Sequence, residues 1–175
     1  MLIADKKKKE SITDYLLFMY QTEELIRQYH FDFKKIEHHV SSHYSFEKEE
    51  KESTMNWYRT LAEQMKQQRL EERGHLDFLH EDIKSLGSLS MELLKVDKEY
   101  RLLYDKAKIF IQKNLEGGNG SLSAPIFTCL HALFDAQKAR QKGEMPKISG
   151  EDLHACQETL AYLSYKYKQR KNVTS

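Results

Sequence analysis

The most hydrophobic stretch of the chain lies near its start, at residues 14–27. It contains six consecutive apolar or aromatic residues, from Tyr15 to Tyr20. At about 100° per residue, a helix formed here is apolar around most of its circumference and polar only along a narrow strip. A helix of this kind lies inside a protein or between protein surfaces. We therefore expect residues 14–27 to form the helix around which the rest of the chain packs, with Leu16, Met19 and Ile26 as core residues.

Apolar side chains recur three and four residues apart along most of the remaining chain, and no stretch of useful length alternates as a strand does. Two stripes, from Leu76 to Leu93 and from Leu153 to Tyr167, follow the 3-4-3-4 spacing of left-handed helix packing. The sequence therefore predicts an all-α protein, an antiparallel up-and-down bundle of about six or seven helices with left-handed packing. The predicted helices begin at or near Ser11, Asp32, Ser53 or Thr54, His75, Asp97, Pro125 and Ser149. The third of them is predicted to end near Gly74.

The chain has 175 residues, which is the size of one domain. We expect a charged, flexible N-terminus at residues 1–10, a single helical bundle domain at 11–170, and a flexible C-terminus at 171–175. The charged run at 47–52 is either an exposed loop or the start of a helix. The glycine-rich segment 116–121 is predicted to be a loop.

Composition narrows the function classes. A hydrophobic fraction of 39% argues against disorder, and a net charge of +1 provides no overall field that would attract nucleic acid or a membrane. The lysine-rich segments 6–9 and 166–171 are better explained as solvated ends than as a nucleic-acid site. No segment approaches the roughly 20 apolar residues of a membrane span. We therefore expect a cytoplasmic protein without a membrane partner, with Cys129 and Cys156 as free, buried thiols.

One polar pair interrupts the apolar face of the first predicted helix. Glu23 and Arg27 are spaced i,i+4 with the acid first, which is the favourable order for an ion pair. They form either a structural ion pair at the rim of the core or part of a pocket for a small polar ligand. Tyr20, Glu72 and His75 are the other candidates for such a pocket.

Metal-ligand spacing occurs in the sequence but is weak. The segments Glu72–His75 and Glu151–His154 both read Glu-x-x-His, a spacing used in di-metal helical bundles. Glu and His are frequent enough here for both matches to arise by chance. His39 and His43 are spaced i,i+4, with His38 beside them, and this cluster is typical of an exposed polar face. The sequence therefore predicts no metal, no cofactor and no catalytic residue.

Several short motifs in a fixed order carry a resemblance to a known family: residues 14–27, Trp57–Tyr58, Arg73–Leu76, Thr128–Leu133 and Lys147–Ser149. Together they resemble a Bacteroidetes family that is catalogued as a domain of unknown function. The resemblance spans Ser11 to about Lys168. It implies a small, all-helical, intracellular bacterial protein, and it supplies no activity or site residue.

The leading hypothesis is a non-enzymatic helical protein that self-associates or binds a protein partner. Leu17, Phe18 and Leu25 lie outside the main apolar stripe of their helix and are the candidate interface residues. Leaving several such side chains in water is costly, because burying each one stabilises by about 1.5–3 kcal/mol. The alternative is a ligand-binding or metal-dependent enzymatic bundle with a buried polar pocket around Glu23, Arg27 and His75.

Overall fold

The computed structural model describes residues 2–43, 47–115 and 121–174. Eight α-helices and no strand occur in these ranges. The helices are α1 (Leu2–Glu10), α2 (Ile12–Gln28), α3 (Phe33–His43), α4 (Lys48–Gln67), α5 (Asp77–Val96), α6 (Lys98–Lys113), α7 (Ala124–Gln141) and α8 (Gly150–Thr174). The all-α prediction is confirmed for the described part of the chain, with one helix more than the upper predicted number.

Helices α2 to α8 correspond to the seven helices predicted from the sequence, and α2, α3, α6 and α8 begin with the expected side-chain cap. Ser11 accepts the backbone N–H of Asp14 at 3.2 Å, and Asp97 accepts that of Tyr100 at 3.0 Å. Such caps satisfy backbone donors that have no partner inside the helix. Asp32 and Ser149 act in the same way at α3 and α8: Asp32 accepts the backbone N–H of Lys34 and Ser149 that of Asp152, both at 3.1 Å. Among the described residues, no side-chain cap is formed at the starts of α4, α5 and α7.

The two chain ends differ from the flexible segments that were expected. Residues 2–10 form α1, in which Ala4 is buried and Lys8 Nζ lies 2.6 Å from Asp82 Oδ2. This helix could not be predicted from the sequence, because its four consecutive lysines resemble a solvated tail. One of its faces is directed inward through contacts with α2 and α5. At the other end, α8 continues to Thr174 instead of ending near residue 170.

Helix α4 differs from the prediction at both ends. It begins at Lys48, so the charged run is a helix start, and it ends at Gln67 well before Gly74. Arg69 follows its C-cap with a left-handed φ of 57°, and the N–H of Leu70 donates to Met65 O at 2.8 Å. This is the Schellman arrangement that commonly ends helices with glycine. Arginine in that position gives no recognisable stop signal, which explains the wrong boundary.

Helix α2 lies at the centre of the packing, in contact with α1, α4, α7 and α8. Leu16, Met19 and Ile26 are at most 1% exposed, so their prediction as core residues is confirmed. Leu17 is also buried, while Phe18 and Leu25 are partly buried against the core. The chain itself therefore covers most of the apolar surplus of this helix. Cys129 and Cys156 are free and buried, as predicted.

Two further expectations concern the glycine-rich loop and membrane-spanning segments. Residues 116–120 of the predicted glycine-rich loop lie outside the described residues. Within the described ranges, no helix combines the length and apolar character needed to cross a membrane.

Gly87 provides a test of the packing between α5 and the segment before α7. A Cβ atom at this position would lie 2.5 Å from Leu122 O and 2.8 Å from Leu122 C, which are backbone atoms that cannot rotate away. We expect Gly87→Ala to lower the free energy of unfolding by about 1–3 kcal/mol, because overpacking outweighs the helix propensity gained. Chemical denaturation measures this change.

Gly150→Ala is the matched control, since nothing lies within 4 Å of a Cβ built at Gly150. Its stability should equal or exceed that of the wild type. Equal stabilities of Gly87→Ala and the wild type would contradict the described approach of α5 to Leu122.

Candidate functional site: a buried polar cluster around Glu23

The side chain of Glu23 projects from the middle of α2 into the protein and is fully buried. Its Oε2 atom accepts a hydrogen bond from His75 Nδ1 at 2.5 Å. Its Oε1 atom accepts one from the backbone N–H of Leu76 at 2.8 Å. Both partners lie just before α5, so the carboxylate also satisfies a backbone donor at the N-terminus of that helix.

Aromatic rings enclose the imidazole of His75. The ring of Tyr20 stacks on it with a centroid separation of 3.5 Å and an interplanar angle of 9°. His131, from α7, meets both rings at an edge, with centroids 5.6 Å from Tyr20 and 5.4 Å from His75. We refer to Glu23, His75, Tyr20 and His131 as the Glu23 cluster.

Burial controls the charge of His75. Desolvation lowers the pKa of His75 below its ordinary value, outweighing the carboxylate of Glu23, which raises it. The charges of His131 and Arg27 lower the same pKa further. A neutral His75 that donates through Nδ1 keeps a lone pair on Nε2. The pair thus has the base-and-orienter arrangement that proton-transfer sites use.

Arg27 does not form the predicted ion pair with Glu23. Its Nε donates to Leu70 O at 3.0 Å and its Nη2 to Gly74 O, while Nη1 lies 3.9 Å from Glu24 Oε2. Glu23 and Arg27 therefore hold the same connection between α4 and α5. Glu23 accepts from N–H groups of this connection, and Arg27 donates to its carbonyl oxygens. The i,i+4 spacing correctly predicted that both residues lie on the inner side of α2. The ion pair that it predicted between them does not form.

Other candidates are placed apart from this cluster. Glu72 is exposed on the α4–α5 connection, so it is not part of a buried pocket. Glu151 and His154 are exposed at the start of α8. In the described ranges, no group of three or more His, Cys, Asp or Glu side chains is arranged to hold a metal ion.

His131 is the cluster member that the sequence did not indicate. It directly follows Leu130 in the apolar stripe of α7, and this position next to a core stripe was the one available signal. His131 also lies on the wall of a groove of about 450 Å³ between α6, α7 and the connection before α8. Asp135, Lys142 and Ile148 line the same groove. The cluster therefore reaches a concave surface through His131.

A second groove, of about 440 Å³, lies between α2, α3 and α7, and we call it the α2–α7 groove. Phe18 and Leu25 lie in it, together with Phe134 and Tyr58. Its polar lining includes the Glu24–Lys138 ion pair and several amides, with Gln21 Nε2 donating to Gln137 Oε1 at 2.8 Å. Two of the three candidate interface residues thus share one concave surface, whereas Leu17 lines a different groove.

The fold and the cluster define an all-α protein in which buried polar residues anchor one interhelical connection. The family described as "Domain of unknown function (DUF4924)" matches residues 1–174. The chain belongs to this family. No curated protein and no solved structure matches the chain.

Removing the Glu23 carboxylate should be strongly destabilising. Glu23→Ala leaves the His75 ring and the Leu76 N–H without their acceptor inside the protein. We expect a loss of about 2–6 kcal/mol in the free energy of unfolding, because two buried donors each lose their acceptor, at about 1–3 kcal/mol per donor. Urea denaturation followed by circular dichroism measures it.

Glu72→Ala is the control, because Glu72 is exposed on the connection that Glu23 anchors. Its effect should stay within about 0.5 kcal/mol. A Glu23→Ala variant as stable as Glu72→Ala would show that the buried carboxylate does not hold the α4–α5 connection.

Proposed function

We propose that the protein is a non-enzymatic helical module that self-associates through the α2–α7 groove. The occupant is the outer face of α6 from a second copy. The observation that carries this proposal is that Phe18 and Leu25 lie in one groove, where Phe134 and Tyr58 add to its apolar lining. Leu17 is buried and takes no part.

The spacing of apolar residues supports α6 as the occupant. Phe18 and Leu25 are seven residues apart on α2, which corresponds to about 10.5 Å along a helix axis. Leu102 and Ile109 are also seven residues apart on α6, and they are 59% and 64% exposed. Two helices laid side by side can therefore match both pairs without a change of register.

Charge and energy are compatible with a weak contact. The net charge of +1 gives little repulsion between copies. Burying Leu102 and Ile109 is worth at most about 1.5–3 kcal/mol each, and association itself costs at least about 4 kcal/mol, so polar contacts must contribute as well. Because the two surfaces differ, the contact is heterologous, and copies add head to tail unless a ring closes.

Complementation between two monomeric variants tests this arrangement. Leu25→Glu damages the groove, and the double variant Leu102→Glu/Ile109→Glu damages the α6 face. Each variant alone should remain monomeric at roughly 100 μM, where the wild type associates. An equimolar mixture should form a 1:1 dimer, because one intact groove and one intact α6 face remain. Light scattering after size-exclusion chromatography measures the masses.

Val96→Glu is the control, since Val96 is 74% exposed at the end of α5, outside both surfaces. It should associate as the wild type does. A strictly monomeric wild type at that concentration, or a mixture that stays monomeric while the wild type associates, would overturn the proposed contact.

A second candidate function is a ligand-binding or metal-dependent enzymatic bundle around Glu23, Arg27 and His75. The favouring observation is the buried Glu23–His75 pair next to His131, which lines a groove within the usual size range of ligand pockets. A metabolite set screened by thermal shift, with and without divalent metals, should contain a compound that raises the wild-type Tm. That shift should shrink in His131→Ala. The absence of any stabilising compound or bound metal would remove this candidate.

The antiparallel, left-handed arrangement, the single bundle domain, the bacterial origin and the cytoplasmic location also stand as proposals. The connection at residues 142–149 supports the antiparallel arrangement, since it is short and joins α7 to α8, which contact each other. The motif resemblance supports the bacterial origin.

A further inference from the structure

Two imidazole rings lie side by side at the end of α3. His39 and His43 are spaced i,i+4 on this helix, and their ring centroids are 4.3 Å apart with an interplanar angle of 34°. Residues with this spacing share one helix face. Two histidines so placed can direct one nitrogen each toward a common point.

The protein holds the His43 ring in one tautomer. His43 Nδ1 lies 2.8 Å from the carbonyl oxygen of His39. A carbonyl oxygen accepts and cannot donate, so Nδ1 carries the hydrogen. The neutral ring therefore has its lone pair on Nε2. Ser42 supports the same geometry, because its hydroxyl donates to that carbonyl at 2.7 Å.

The His39 ring is held from α2. Its Nδ1 atom lies 3.0 Å from the hydroxyl of Tyr29, the C-cap residue of that helix. When Nδ1 donates to the phenol oxygen, the lone pair of His39 also lies on Nε2. Histidines that bind metals through Nε2 commonly donate their other N–H to a carbonyl, a carboxylate or another outer oxygen, which fixes the ring.

We propose that His39 and His43 bind one divalent transition-metal ion through their Nε2 atoms. Imidazole ligands suit Zn²⁺, Ni²⁺ and Cu²⁺, and not the oxygen-preferring Mg²⁺ or Ca²⁺. No third His, Cys, Asp or Glu joins the pair in the described ranges, so water fills the remaining coordination positions.

A purely structural role explains less of this geometry. A histidine in the last turn of α3 can interact with the final carbonyls of the helix, and the His43 contact alone fits that role. It does not account for the second ring beside it or for the bond that fixes that ring to Tyr29. Although both histidines lie at the edge of the α2–α7 groove, the metal site requires no second copy.

Titration of the untagged chain with Zn²⁺, Ni²⁺ or Cu²⁺ alone tests the site by calorimetry. The wild type should bind one ion per chain at this site, and Mg²⁺ should not compete. His39→Ala and His43→Ala should each weaken binding by at least about tenfold. Tyr29→Phe removes no ligand, yet it should weaken binding by about 10–100-fold through the freed His39 ring. Electron paramagnetic resonance of the Cu²⁺ form should report two nitrogen ligands.

His38→Ala is the matched control, because His38 is the exposed neighbour of His39 in the sequence. It should retain wild-type affinity, and circular dichroism establishes that each variant is folded. The proposal is overturned by wild-type protein that binds none of the three ions, by His39→Ala/His43→Ala binding as tightly as the wild type, or by an equal loss in His38→Ala.

Discussion

The buried carboxylate of Glu23 is the constraint that joins α2 to the start of α5. Taking a carboxylate out of water costs several kcal/mol unless its oxygens are paired. Here the pairing groups, His75 Nδ1 and the Leu76 N–H, both lie at the entrance to α5. Helix α2 can therefore be buried at this point only when the α4–α5 connection is in place. Arg27 strengthens the same junction through the carbonyls of Leu70 and Gly74.

The second half of α2 organises the polar chemistry of the molecule. Tyr20 stacks on His75, Glu23 and Arg27 hold the α4–α5 connection, and Tyr29 contacts His39 on α3. Two pairs of neighbouring histidines, His75 with His131 and His39 with His43, lie in different environments. His75 and His131 are packed among aromatic rings, whereas His43 is exposed and His39 is partly buried. The first pair serves a buried network, and the second has the accessibility that a metal ion requires.

The apolar surplus of α2 is covered mainly by other helices of the same chain. A helix apolar nearly all round can be covered by a second molecule or by its own chain. Here α1, α4, α7 and α8 provide most of the cover, and Phe18 and Leu25 remain within a groove instead of forming an open face. A docking partner would thus have to place apolar side chains inside this groove, and Leu102 and Ile109 of α6 are exposed apolar side chains.

The sequence by itself determined helices α2 to α8, the caps at Ser11 and Asp97 and the core positions of α2, because each depends on neighbours within one or two helical turns. It did not reveal α1, whose lysines resemble a solvated tail, or the end of α4, which a left-handed Arg69 forms without glycine. It selected Glu23 but paired it with Arg27, four residues away. The true partners are 52 and 53 residues away, and only the packing of α2 against the start of α5 brings them together.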